Sequence, residues 1–266
     1  MGEIVLGQYY PTNSILHRLD PRIKFTGTVL YVISLFLVKG VFGYAFCGVS
    51  LAILIVLSKV PFRLVLKSMK PVLLLLLITM IFNILLTPGE VLVQFWIFKI
   101  TREGVQLALQ MAIRLCFLVM GSSVMTLTTT PNALTDGMER LFSPLRLIHV
   151  PVHEIAMMMS IALRFIPILM EETDKIRKAQ LARGADFETG GLIRRLKSMI
   201  PLLVPLFVSA FRRANDLAMA MEARCYHGGD GRTQMKPLRF ARRDYVACLI
   251  MAVYFAVCVA CCILGY

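Results

Sequence analysis

Residues 245–266, YVACLIMAVYFAVCVACCILGY, run for 22 positions without one charged side chain. A bilayer core offers no water to backbone amides, so a chain crosses it as a helix of about 20 apolar residues. This run therefore commits the chain to a membrane and to helices. Four further apolar runs, at about 25–38, 41–58, 71–87 and 105–127, repeat the pattern, and basic connectors alternate with them. The chain is 58% hydrophobic, above the about 45–50% usual in soluble proteins. An all-α integral membrane protein with about five transmembrane helices is expected.

The first two runs are short for spans. Lys39 can snorkel and Gly40 permits a tight turn, so they read as two spans joined at the outer surface. One long tilted helix with a re-entrant piece is the alternative. KVPFRLVLKSMK, 59–70, holds four Lys/Arg and no acid, which marks a cytoplasmic loop. Pro71 suits a helix start. VLVQFWIFKI, 91–100, with Phe95, Trp96 and Phe98, reads as an interfacial strand or hairpin outside. Arg114 lies inside the fourth run. A buried cation there costs at least about 2.5 kcal/mol, so it needs a partner, which the sequence does not name. Its expected role is a structural contact.

The net charge of +13 fits the positive-inside bias better than nucleic-acid binding, because no aromatic-basic RNA motif accompanies it. The first 22 residues have no continuous apolar core and do not resemble a cleavable leader. Charge placement predicts a multi-pass protein of the cell membrane, N-terminus cytoplasmic and C-terminus extracytoplasmic. The predicted organisation is a four-span membrane domain over 1–127, a cytoplasmic module over 128–243 and a last transmembrane helix over 244–266. No clean span is expected in the module, which holds 18 Lys/Arg and 11 Asp/Glu.

No metal site is expected. Cys258 and Cys261 have CxxC spacing at the end of an apolar helix, where small core residues are the simpler reading. Pro151 between His149 and His153 spoils a helical ligand pair. No GxxxxGK[ST] phosphate loop is present, so the chain should not hydrolyse ATP. Nor does any Ser-His-Asp or Cys-His pairing suggest a catalytic centre.

Within the module, Thr130-Pro131 starts a helix that Ser143-Pro144 breaks. Two long helices follow. One runs from 152 to 183, about 48 Å, apolar in its first half and charged from Glu171 onward. The other runs from Gly190-Gly191 to Gly228-Gly229. Pro167 is expected to kink the first, and Pro201 and Pro205 to bend the middle of the second. Ala214, Ala218, Ala220 and Ala223 allow close helix contact. Both helices end in a small-Arg-small triplet, Ala182-Arg183-Gly184 and Ala223-Arg224-Cys225. Each Arg can simply cap the last carbonyls and complement the helix dipole. Alternatively, its small neighbours leave the planar fork open to a carboxylate on a partner.

These triplets, with SILHRLDPRIKF, TTTPNALTDGMERLFSPL and VPVHEIAMMMSIALRFIPIL, resemble the transmembrane T component of energy-coupling factor (ECF) transporters, nearly end to end. The resemblance implies a non-catalytic scaffold of an ABC-class vitamin or micronutrient importer. Its partners would be two ECF ATPase subunits, which bind ATP and Mg, and a membrane-embedded substrate-binding S component. The chain itself would carry no cofactor. It implies that Ala182, Arg183, Gly184, Ala223, Arg224 and Cys225 dock the ATPases, at the ends of crossed coupling helices. Cys225, being small, should still dock, with a slightly tighter fit. The apolar stripe of Met158, Met159, Phe165, Met170, Leu202, Leu206 and Phe211 would form the helix crossing and the face toward the S component. Pro167, Pro201 and Pro205 would be hinges. The runner-up is a dedicated T component of a cobalt/nickel or biotin importer. A lipid-modifying enzyme would need its polar groups at one membrane depth, and a secondary carrier an internal repeat; the sequence displays neither.

Overall fold

The computed structural model describes residues 9–38, 40–95, 98–187, 191–229 and 237–263. Ten α-helices and one short hairpin are seen among them: α1 Pro21–Leu37, α2 Val41–Ser58, α3 Phe62–Lys67, α4 Lys70–Leu86, β1 Val91–Phe95, β2 Phe98–Thr101, α5 Arg102–Thr128, α6 Pro131–Leu141, α7 Val152–Ala182, α8 Leu192–Ser198, α9 Ile200–Ala223 and α10 Arg242–Ile263. The described chain forms two compact units. One holds the residues up to Gly137 together with Leu238 onward, and the other is Met138–Pro237.

In the first unit α5 is the central post, packed against α1, α2, α3 and α4, while α10 packs on α1 and α2. Small residues let these helices close up. A methyl group on Gly121 would sit 2.6 Å from the Tyr31 ring, and one on Gly48 2.9 Å from Phe117. The resulting core joins Tyr31, Leu35, Val38, Tyr44, Cys47, Leu51 and Cys258. At its centre the Tyr254 hydroxyl meets the Ser34 hydroxyl at 2.8 Å, which satisfies both in an apolar interior.

A polar collar ties the beginning of α1 to the ends of α5 and α10. Asp20 caps α1 by accepting the Arg22 amide N–H. Asp244 accepts the amide N–H groups of Asp20 and Ala241. Arg22 donates to the Leu238 carbonyl, and Lys24 donates to the carbonyls of His17 and Thr128. Asp20 and Asp244 are both buried, so each needs these donors to offset its lost hydration. The last helix thus closes onto the first.

By length and composition α2, α5, α7 and α10 are able to cross a membrane, and α4 is apolar but shorter. The helix α1 is likewise short, at 17 residues. Within 128–243, where no clean span is expected, α7 is nonetheless long and apolar enough to cross a membrane by length and composition. The charge total of that segment hides an apolar half, 152–170, whose only acid or Arg/Lys residues are Glu154 and Arg164. The hairpin at 91–101 is real, with Val93 opposite Ile100 and Phe95 opposite Phe98. Trp96, expected in it, lies outside the described residues.

In the second unit α7 and α9 are the dominant pair and pack against each other. Pro167 lies inside α7 and Pro205 inside α9. Pro201 does not bend the middle of α9. It stands at the start of that helix, just after the break at Met199 that separates α8 from α9. A proline at the first positions sacrifices no hydrogen bond, because those amides have no helical acceptor.

Candidate docking ends of two long helices

The two triplets fold into the same local structure. In α7, Ala182 is the last helical residue and Arg183 the C-cap. Gly184 follows with φ +83°. The Gly184 amide donates to the Leu181 carbonyl at 3.0 Å, and the Ala185 amide to the Gln180 carbonyl at 3.0 Å. In α9, Ala223 is last, Arg224 is the C-cap and Cys225 follows with φ +53°. The Cys225 amide donates to the Glu222 carbonyl at 2.8 Å, and the Tyr226 amide to the Met221 carbonyl at 3.1 Å. Both ends are Schellman motifs in matching register, with Ala, Arg and a left-handed residue in the same places.

This geometry bears on what the arginines do. Backbone amides already satisfy the carbonyls two and three residues from each end, so neither side chain is needed to cap them. All six triplet residues are exposed. Among the described residues neither the Arg183 nor the Arg224 guanidinium has a hydrogen-bond or ion-pair partner. Each helix therefore ends in an open planar fork flanked by small side chains. Such a fork binds a carboxylate through two parallel bonds. Cys225 takes a conformation that suits glycine and disfavours residues with a Cβ, at about 1–2 kcal/mol.

The apolar stripe divides into covered and open parts. Phe165 lines a groove of about 270 Å³ between α7 and α9, with Ile161, Leu169, Ala214, Leu217 and Ala218. Leu202 is buried and Leu206 half-buried. Met158 and Phe211 are 58% and 57% exposed, and Met159 and Met170 are exposed as well. Part of the stripe therefore joins the helices, and part is open apolar surface.

Sequence reasoning missed the polar link in this interface. Glu172 of α7 accepts hydrogen bonds from the Ser209 hydroxyl, at 2.7 Å, and from the Arg213 guanidinium of α9. The Ser209 hydroxyl and Arg213 together hold the Glu172 carboxyl below the usual glutamate range. Glu172 lies beyond the apolar half of α7. Only a charge pattern read across two helices would have paired these residues.

Two other groups also find their places. Arg114 donates from Nε and Nη2 to the Tyr44 hydroxyl, at 3.1 and 2.7 Å, and lies over the Phe36 and Tyr44 rings. His153 meets a Glu139 carboxylate oxygen at 2.8 Å through Nδ1. It lines a cavity of about 240 Å³ with His149, Arg146 and Glu154. Among the described residues no group of three or more His, Cys, Asp and Glu side chains is placed to hold a metal.

The described residues thus form a helical membrane protein that presents two matched cationic helix ends. The chain belongs to the CbiQ family, described as cobalt transport protein, whose model matches residues 12–235. It is similar to the energy-coupling factor transporter transmembrane protein EcfT of Clostridium kluyveri, at 54% identity over 249 residues, covering 93% of this chain and 92% of that one. The protein of the same description from Ruminiclostridium cellulolyticum is 52% identical over 95% of this chain and 94% of its own length. That of Bacillus subtilis is 46% identical over 92% of each.

Proposed function

We propose that this chain is the scaffold and energy-coupling subunit of an ECF-type importer. Two ATPases, carrying the ATP and Mg, dock on the ends of α7 and α9. A substrate-binding S component seats in the membrane against exposed apolar surface of the scaffold, including Met158, Met159, Met170 and Phe211. Movement of the ATPases shifts the two helices, and the S component is carried with them for uptake of a vitamin or similar micronutrient. The chain supplies no catalytic group of its own. The carrying observation is the pair of matched caps, each offering an exposed, unpartnered Arg. The similarity to relatives described as EcfT supports the same reading.

The charge pattern supports a cytoplasmic N-terminus and an extracytoplasmic C-terminus. In this arrangement α1, α2, α4, α5 and α10 are the five spans, and residues 128–243 form the coupling module. The apolar half of α7 lies against the membrane and its charged half projects into the cytoplasm. The hinges are Pro167, Pro205 and the break before Pro201. The description of the family model favours a second reading, a dedicated cobalt or nickel importer. Identifying the substrate carried by the complex purified from native membranes separates the two.

The docking role is tested by reversing charge. Arg183→Glu together with Arg224→Glu is expected to release both ATPases on purification and to abolish uptake, with the fold of the chain preserved by circular dichroism. Retention of both ATPases with normal transport sinks the assignment.

A further inference from the structure

The Glu172 link sits at one particular place on both helices. Eleven residues separate Glu172 from Arg183, and eleven separate Arg213 from Arg224. At 1.5 Å per residue each arm is about 16 Å long. Neither arm, ETDKIRKAQLAR nor RANDLAMAMEAR, contains Pro or Gly, so both are uninterrupted helix. The internal prolines, Pro167 and Pro205, both precede the link in their helices. The contact thus divides each helix into a proline-containing stretch and a stiff arm of equal length.

Beside the link, the groove between the two helices is lined mainly by apolar side chains. Ala214 and Ala218 in the groove are small, and the facing Ile161, Phe165 and Leu169 are apolar. Apolar packing is non-directional, and such a surface tolerates sliding by part of a turn. A carboxylate that accepts from both a hydroxyl and a guanidinium on the other helix does not. Polar groups in otherwise apolar helix interfaces are best attested in this register-setting role. The Glu172 and Arg213 side chains are 24% and 40% exposed, so the link adds little stability. Its contribution is geometric.

We propose that Glu172, gripping Ser209 and Arg213, is the pivot that sets the separation of the two cationic ends, and that Glu172 and Arg213 are positioning residues for coupling. This rests on the docking function assigned to those ends. Without the pivot the arms lose a common origin. Each Arg still binds its ATPase, but movement of the ATPases is absorbed by slippage between α7 and α9.

The test reads geometry and coupling separately. Spin labels are placed at Lys178→Cys and Met219→Cys, five residues short of each Arg, in the full chain in lipid nanodiscs. The exposed Cys225 and Cys248 are replaced by Gly and Ser in that version. The parent is expected to give one narrow label-to-label distance and Glu172→Ala a broad one, with the melting temperature changed by only a few degrees. In the assembled transporter with its native cysteines, Glu172→Ala is expected to keep both ATPases. The substrate taken up per ATP hydrolysed should fall several-fold. The exchange Glu172→Arg with Arg213→Glu should restore both the narrow distance and the ratio. A narrow distance with an unchanged ratio in Glu172→Ala overturns the pivot, as does an exchanged pair that folds but restores neither. Either outcome leaves the docking role standing, which fails only by the charge-reversal test above.

Discussion

Arg183 and Arg224 illustrate how one residue type acquires a role from its place in a cap. A C-terminal Arg ordinarily competes for the last carbonyls of its own helix. Here the left-handed residue after each Arg lets the backbone take them, and the guanidinium is left for something else. The two caps differ in cost. Gly184 adopts its positive φ freely, whereas Cys225 carries a Cβ into the same region. Cys225→Gly is expected to raise stability by about 1 kcal/mol, seen as a higher melting temperature of the purified chain. An unchanged or lower value would mean that the Cys225 side chain makes a compensating contact. Arg114 is the counterpart within the first unit. Its only hydrogen-bonded oxygen among the described residues is the Tyr44 hydroxyl. Tyr44→Phe is expected to destabilise that unit by about 1 kcal/mol, the net worth of the hydrogen bonding lost at a half-buried donor, measured by thermal unfolding in detergent.

At the scale of elements, α7 and α9 are long helices made stiff in one part and pliable in another. Pro205 lacks an N–H for the carbonyl of Pro201, four residues earlier. Pro205→Ala is expected to restore that bond and straighten α9. The ATPases should remain bound while uptake per ATP falls, read as the ratio of transport to hydrolysis in proteoliposomes. Release of the ATPases would instead assign Pro205 to folding. The link between the helices is also pH-sensitive in a definite sense. Ser209 and Arg213 lower the Glu172 pKa, and Lys175 adds to the effect. The folded value therefore lies below the ordinary one of about 4.3. A group depressed in this way contributes fully above its unfolded pKa and loses its contribution as pH falls through the folded one. The spin-label distance should stay narrow at pH 7 and broaden only in acid below about 4.3. Broadening near neutrality would point to a histidine instead.

At the scale of the molecule, the first unit is a lipid-facing bundle closed by its own C-terminal helix. The collar of Asp20, Arg22, Lys24 and Asp244 lies at the end of the bundle that the charge pattern assigns to the cytoplasm. The orientation is testable with a membrane-impermeant maleimide. Pro88→Cys, in the turn before the hairpin, is expected to be labelled on intact cells. Arg63→Cys, on α3, is expected to be labelled only after the cells are opened. The reverse pattern would invert the topology and place the ends of α7 and α9 out of reach of a cytoplasmic ATPase.

Helix content, the approximate membrane runs and the two Arg triplets were legible in the sequence, because each depends on local pattern. Uncharged runs, proline at helix starts and glycine after helix ends act over a few residues. Thus α2 falls on 41–58 as expected, and Gly184 caps α7 as its position implied. What depended on distant residues was not legible. The partner of Arg114 is 70 residues away on α2, and that of Asp20 is 224 residues away at the start of α10. The link from Glu172 to Arg213 spans 41 residues and two helices. Pairings of this kind are set by which faces meet when apolar surface is buried, and one-dimensional spacing does not encode that meeting. The sequence by itself determined a helical membrane chain with two cationic helix ends. Only tertiary packing decided what holds Arg114 and where α7 is fastened to α9.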